Sequence, residues 1–280
     1  MLKTIVKNTP PLRYLASVIY RMRIPFQYHG KTFKSIIKWI FVNKETTNFT
    51  YPITEMNKKY LATLIAEITE TEFEKVYGYF KELEENKELF THIINYAKKS
   101  DRNFVTDIIP QYGRRLGWYA LTRILKPKVV VETGVEKGLG SCVLTSALEK
   151  NAQEGFIGFY YGTDINPAAG FLLGEKYLNY GRILYGDSIN SLKNLNEKID
   201  LFINDSDHSA DYEYDEYITI KDKLSEGAVI LGDNSHCTTK LMDFSLLTKR
   251  KFIFFKEEPD NHWYPGSGIG ISYTDKIKAK

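Results

Sequence analysis

Two short stretches hold the residues with the most chemistry to offer. In "LFINDSDH" (201–208) a run that reads as core breaks into Asp205, Asp207 and His208, and in "VILGDN" (229–234) a second apolar run breaks into Asp233 and Asn234. If both runs are neighbouring strands, Asp205, Asp233 and Asn234 bring three oxygen donors together. Such a set suits a hard divalent cation, Mg²⁺ or Mn²⁺. An imidazole beside that centre can take the proton of a bound hydroxyl, since its reference pKa of about 6.5 leaves it basic near neutrality. His208 is the expected base, with Asp205 beside it. Asp207 is an alternative ligand, and His236 and His262 are alternative bases.

A second group of residues suits a ligand with an ammonium group and a ribose. "VVVETGVEKGLGSCVLTSALEK" (129–150) leads from an apolar run into a helical one through Gly134, Gly138 and Gly140. Glycines permit a tight turn and a close backbone approach to a ligand. Their spacing, G-x-x-x-G-x-G, is not the dinucleotide fingerprint, and Glu132 and Glu136 would repel a diphosphate. A zwitterionic ligand fits better. Asp164 in "YGTDINP" is placed for the two hydroxyls of a ribose, and Asp187 and Ser188 in "YGDSINSL" for an adenine border.

These residues need a scaffold that brings strand ends together. From Pro127 onward short apolar runs recur: "KVVVET", "GFIGFYYGTD", "RILYGD", "IDLFIND", "GAVILGDN", "KFIFF" and "GIGISYT". Runs of this length and composition suit strands covered on both faces, hence an α/β, doubly wound, mostly parallel sheet. Ligands of such sheets bind beyond the carboxyl ends of the strands. Glu132, Asp164, Asp187, Asp205 and Asp233 would therefore face one cleft. Residues 1–125 read as a mainly helical N-terminal region and 126–280 as the sheet domain. Helices are expected at "MNKKYLATLIAEI", at "RRLGWYALTRIL" and as one element over "TETEFEKVYGYFKELEENKELFTHIINYAKK", where Thr71 and Glu74 suit a capping box.

With these motifs the sequence resembles the class I S-adenosylmethionine-dependent methyltransferases, over roughly residues 110–275. The resemblance implies a Rossmann-like, seven-stranded methyltransferase domain. It places Glu132 and Gly134 at the methionine moiety, Gly138 and Ser141 in the loop beneath it, and Asp164 at the ribose. It narrows to the metal-dependent O-methyltransferases: catechol-type enzymes have an acid after the fourth strand and Asp-Asn after the fifth, as "LFIND" and "LGDN" do. The macrolide-sugar enzymes also have the Asp-x-x-His of "DSDH". The implied activity is methylation of a hydroxyl on a sugar or other small polar acceptor. A non-catalytic accessory protein retaining the cofactor cleft is the alternative.

Charge sets one segment apart. Residues 1–44 hold nine Lys and Arg and no acid, against −6 for the remainder. This basic arm, interleaved with Ile36, Trp39 and Phe41, reads as a solvated arm, a contact in a homo-oligomer, or a contact with an anionic surface; nucleic acid is not expected. Cys142 and Cys237 are too few for a disulfide framework, and no apolar run approaches the roughly 20 residues of a spanning helix. Both points lead to a cytoplasmic expectation.

Overall fold

The computed structural model describes residues 10–46, 50–207, 209–275 and 277. Contacts divide the chain into two compact units: residues up to Asn43 with Asn261–Tyr264, and Lys44–Asp260 with the residues from Pro265 onward.

The first unit is dominated by α1 (Pro10–Val42), a helix of 33 residues that runs through Pro25 and has no buried residue. Trp39 meets Trp263 edge to face, with ring centroids 5.2 Å apart. The Tyr264 backbone N–H donates to Nδ1 of His262 at 3.1 Å.

The second unit begins with three helices, α2 (Glu55–Thr69), α3 (Phe73–Glu84) and α4 (Lys87–Lys99), and continues with α5 (Arg115–Leu125). The stretch from Thr69 is thus two helices, not one. Asn86 interrupts it, its side chain accepting the Leu89 N–H at 3.0 Å and so capping a new helix. Nor does Thr71 close a capping box. Its hydroxyl donates to the Thr69 carbonyl at 3.3 Å, and the residue at the cap of α3, Glu72, makes no side-chain capping bond.

The sheet follows: β1 (Val129–Thr133), α6 (Leu139–Gln153), β2 (Phe159–Asp164), β3 (Gly181–Tyr185), α7 (Ser188–Asn194), β4 (Ile199–Asn204), α8 (Ala210–Ile220), β5 (Leu224–Gly232), α9 (Lys240–Leu247), β6 (Lys251–Lys256) and β7 (Gly268–Tyr273). Its seven strands lie in the order β3-β2-β1-β4-β5-β7-β6. β7 runs antiparallel to β5 and β6, while the pairs from β3 to β5 are parallel. This is the expected doubly wound, mostly parallel architecture. All five residues of β1 are buried, as befits a strand with layers on both faces. On one face Val129, Val131, Phe202 and Ile230 pack with Tyr217 and Ile220 of α8 and with Phe244 of α9. The reversal of strand order between β1 and β4 puts their carboxyl ends at a crevice.

Candidate functional site

At the carboxyl edge of the sheet, three strand ends are stitched together by backbone. Gly134 follows β1 with φ +82°, and its N–H donates to the Thr163 carbonyl of β2 at 2.9 Å. The Asp205 N–H after β4 donates to the Thr133 carbonyl at 2.8 Å. A Cβ at Gly134 would run into the Asp205 backbone, so this approach requires glycine twice over, for φ and for space. Gly138, with φ +93°, opens α6.

The turn between these glycines is held by Asp164. One carboxylate oxygen accepts the Glu136 N–H at 2.9 Å and the other the Asn166 N–H at 2.8 Å. Each carboxylate oxygen can accept two hydrogen bonds and here takes one, so both retain a lone pair for a ligand hydroxyl. These acceptors suit the hydroxyls of the expected ribose. Beyond it Lys137 pairs with buried Glu45 at 2.9 Å, which fixes the far side of the turn.

Glu132 lies beneath this turn, not open in it. It is 1% exposed, receives the Tyr160 hydroxyl, and fills the room left by the absent side chain of Gly140. Ser141, also buried, bonds the same Tyr160 hydroxyl at 2.7 Å. Burial pushes the Glu132 carboxyl up to about 7, against the opposing pull of Tyr160 and Arg115.

Asp187 caps α7, accepting the Asn190 N–H at 2.8 Å and the Tyr212 hydroxyl at 2.7 Å. Ser188 bonds Tyr212 at 2.7 Å and also reaches Glu216. Glu216 of α8 is an acid that sequence patterning does not reveal. It is fully buried and accepts from Thr133 at 2.9 Å, Ser206 at 2.8 Å and Asn204 as well. Burial raises its carboxyl in spite of these donors. The network joins β1, β4, α7 and α8 under the cleft. Of the three tyrosines on α8, Tyr217 is core and bonds Glu213 at 2.8 Å, whereas Tyr212 belongs to this network.

Asp205 and Asp233 come together around a cation that the chain itself supplies. Nε of Arg114, a residue preceding α5, contacts Asp233, and its Nη atoms lie 3.9 Å from Asp205 and 3.7 Å from Glu257. The Arg114 side chain is 8% exposed. Its own N–H donates to Glu257 at 2.6 Å, and the Tyr51 hydroxyl donates to the same carboxylate at 2.8 Å. Desolvation together with the Asp233 charge holds the Asp205 carboxyl well above its usual range, against the pull of Arg114. Both acids face one buried guanidinium.

That arrangement does not fit the expected Mg²⁺ or Mn²⁺. A divalent ion between Asp205 and Asp233 would sit against the buried positive charge of Arg114. Among the described residues no group of three or more His, Cys, Asp or Glu is placed to hold a metal. Asn234, whose Oδ1 is buried and makes no hydrogen bond among the described residues, remains as the one neutral donor. Asp207 accepts the Ser209 N–H at 3.0 Å as α8 begins. His236 lies 2.9 Å from the Asp233 carbonyl through Nδ1. His208, the expected base, falls outside the described residues.

The stretch that carries these strand ends has relatives. Residues 131–235 match a family of methyltransferase domains. That span runs from β1 to the turn after β5 and so includes the glycine turn, Asp164, Asp205 and Asp233. Together with the strand order, it makes the fold a Rossmann-like methyltransferase fold. No curated protein matches the chain. Among solved structures, the O-methyltransferase TomG from Streptomyces achromogenes, in complex with S-adenosylmethionine, is 13% identical with a TM-score of 0.46, covering 67% of this chain and 89% of its own. A Geobacter sulfurreducens methyltransferase is 17% identical with a TM-score of 0.46, covering 66% and 89%. The S-adenosylhomocysteine-bound methyltransferase PaMTH1 of Podospora anserina is 14% identical with a TM-score of 0.44, covering 82% and 100%.

Proposed function

We propose that the chain is an S-adenosylmethionine-dependent O-methyltransferase acting on a hydroxyl of a sugar or other small polar acceptor. The observation that carries the reading is the Glu136–Asp164 hydrogen bond. It ties the glycine turn to the acid of β2 within the span that matches the methyltransferase family. Asp164 would hold the ribose hydroxyls, and the bare backbone at Gly134 and Gly138 would hold the amino-acid end. The cofactor supplies an electrophilic methyl group on a sulfonium. In the transfer the acceptor oxygen gains the methyl, the sulfonium bond breaks, and the hydroxyl proton must leave.

His208 is the base we propose for that proton, three residues beyond Asp205. Asp205 and Asp233, held by Arg114, would orient the acceptor by hydrogen bonds. The choice of oxygen, and of a sugar, rests on the resemblance of "DSDH" and "LGDN" to O-methyltransferase motifs. No step is assigned to a metal.

Calorimetric titration and methyl transfer from labelled S-adenosylmethionine test this together. The wild type should bind S-adenosylhomocysteine, and Asp164→Ala should lose most of that affinity while melting cooperatively. His208→Ala should bind normally but lose about two to four orders of magnitude in rate, the usual worth of a positioned base. Binding of NAD in place of S-adenosylhomocysteine would overturn the reading, and binding with no transfer to any hydroxyl acceptor would reduce it to an accessory role.

A further inference from the structure

We propose that α1 is an interfacial helix that lays the protein on an anionic lipid surface. The helix spans 33 residues without burying one. Leu12, Leu15, Ile19, Met22, Phe26, Phe33, Ile37 and Ile40 recur at helical spacing and form one apolar face. Phe26 is 67% and Phe33 60% exposed. The same helix holds Arg13, Arg21, Arg23, Lys31, Lys34 and Lys38 and no acid. No helix among the described residues is long and apolar enough to cross a membrane. A helix this amphipathic, basic and aromatic has the composition that buries its apolar side at the headgroup boundary while its cations meet lipid phosphates.

Charge decides among the possible occupants. A second copy of α1 would bring six more cations and no acid to pair with them, so self-association sets like charges side by side. A nucleic acid would satisfy the cations and leave the apolar face in water. An anionic bilayer satisfies both faces at once. The proposal is independent of the methyl-transfer reading, because α1 contains none of the residues invoked there.

Flotation of the full chain with phosphatidylcholine vesicles, with and without phosphatidylserine, tests it. Binding should require phosphatidylserine and weaken several-fold as salt rises. Two variants separate the faces. Arg13→Glu with Lys31→Glu and Lys38→Glu should abolish binding, and so should Phe26→Ser with Phe33→Ser, which leaves the charge unchanged. Neither should lower the melting temperature, since no core residue is altered. Position follows from two further variants: Phe26 and Ser17 are nine residues, two and a half turns, apart and so on opposite sides of the helix. Added fluorescence in Phe26→Trp should be quenched by lipids brominated on the acyl chain, whereas that in Ser17→Trp should not. The proposal is overturned by absence of vesicle binding, by equal quenching at both positions, by dimerisation that Phe26→Ser and Phe33→Ser abolish without any lipid affinity, or by nucleic-acid binding insensitive to those two changes.

Discussion

Arg114 has the greatest consequence at the scale of single residues. Its guanidinium is the counter-charge for Asp205, Asp233 and Glu257, and removing one partner of a buried ion cluster leaves the others uncompensated. Arg114→Met should therefore destabilise the protein by about 3–5 kcal/mol, read from urea unfolding. Removing the guanidinium also opens the acid pair. Mn²⁺ should raise the melting temperature of Arg114→Met and leave the wild type unchanged; a matching rise in the wild type would show that the acids already accept a metal. Glu132 gives a test by pH. Its folded carboxyl, pushed up to about 7 from an ordinary 4.5, binds a proton more tightly than in the unfolded chain. The contribution of this group to stability is thus fully present below about 4.5, falls as pH rises towards 7 and then levels, a loss of roughly 3 kcal/mol. Urea unfolding across that window should show a shallower fall for Glu132→Gln, which keeps an acceptor for Tyr160. Asp164, Asp205 and Asp233 were legible in the sequence because each directly follows an apolar run. Arg114, Glu216 and Glu257 were not, because neither a long-range ion pair nor a buried hydrogen-bond network leaves a local pattern.

The elements were legible where a local pattern determines them. Each of the seven strands coincides with an apolar run, and α2 and α5 with the expected helical stretches. The helix from Thr69 was misread because periodicity continues across Asn86, although its side chain redirects the backbone by capping Leu89. Antiparallel β7 between β5 and β6 has no signature in its own residues; its place comes from how the whole sheet closes. Two glycines illustrate how the same substitution changes sign with its element. Gly134→Ala puts a methyl group against the Asp205 backbone at a left-handed φ, and should cost at least about 1–3 kcal/mol and lower affinity for S-adenosylhomocysteine. Gly78 lies inside α3 with open space around it, so Gly78→Ala should stabilise by roughly 0.5–1 kcal/mol. Denaturant midpoints of the two variants check both signs at once.

At the scale of the whole molecule, charge and fold are distributed differently along the chain. The basic excess lies in residues 1–44, while the acids that matter for the cleft come from strand ends spread between Glu132 and Asp233. The cluster around Arg114 spans more of the chain still, taking Tyr51 from before the first helix of its unit and Glu257 from after β6. During synthesis this separation becomes time. Glu257 follows Arg114 by 143 residues, so at roughly 5–20 residues per second the arginine leaves the ribosome about 7–30 s before its last carboxylate. Until then the cluster lacks one of its three carboxylates. The nascent chain can thus make β1 and β2 early, but the cluster at its cleft edge is complete only once Glu257 has been made.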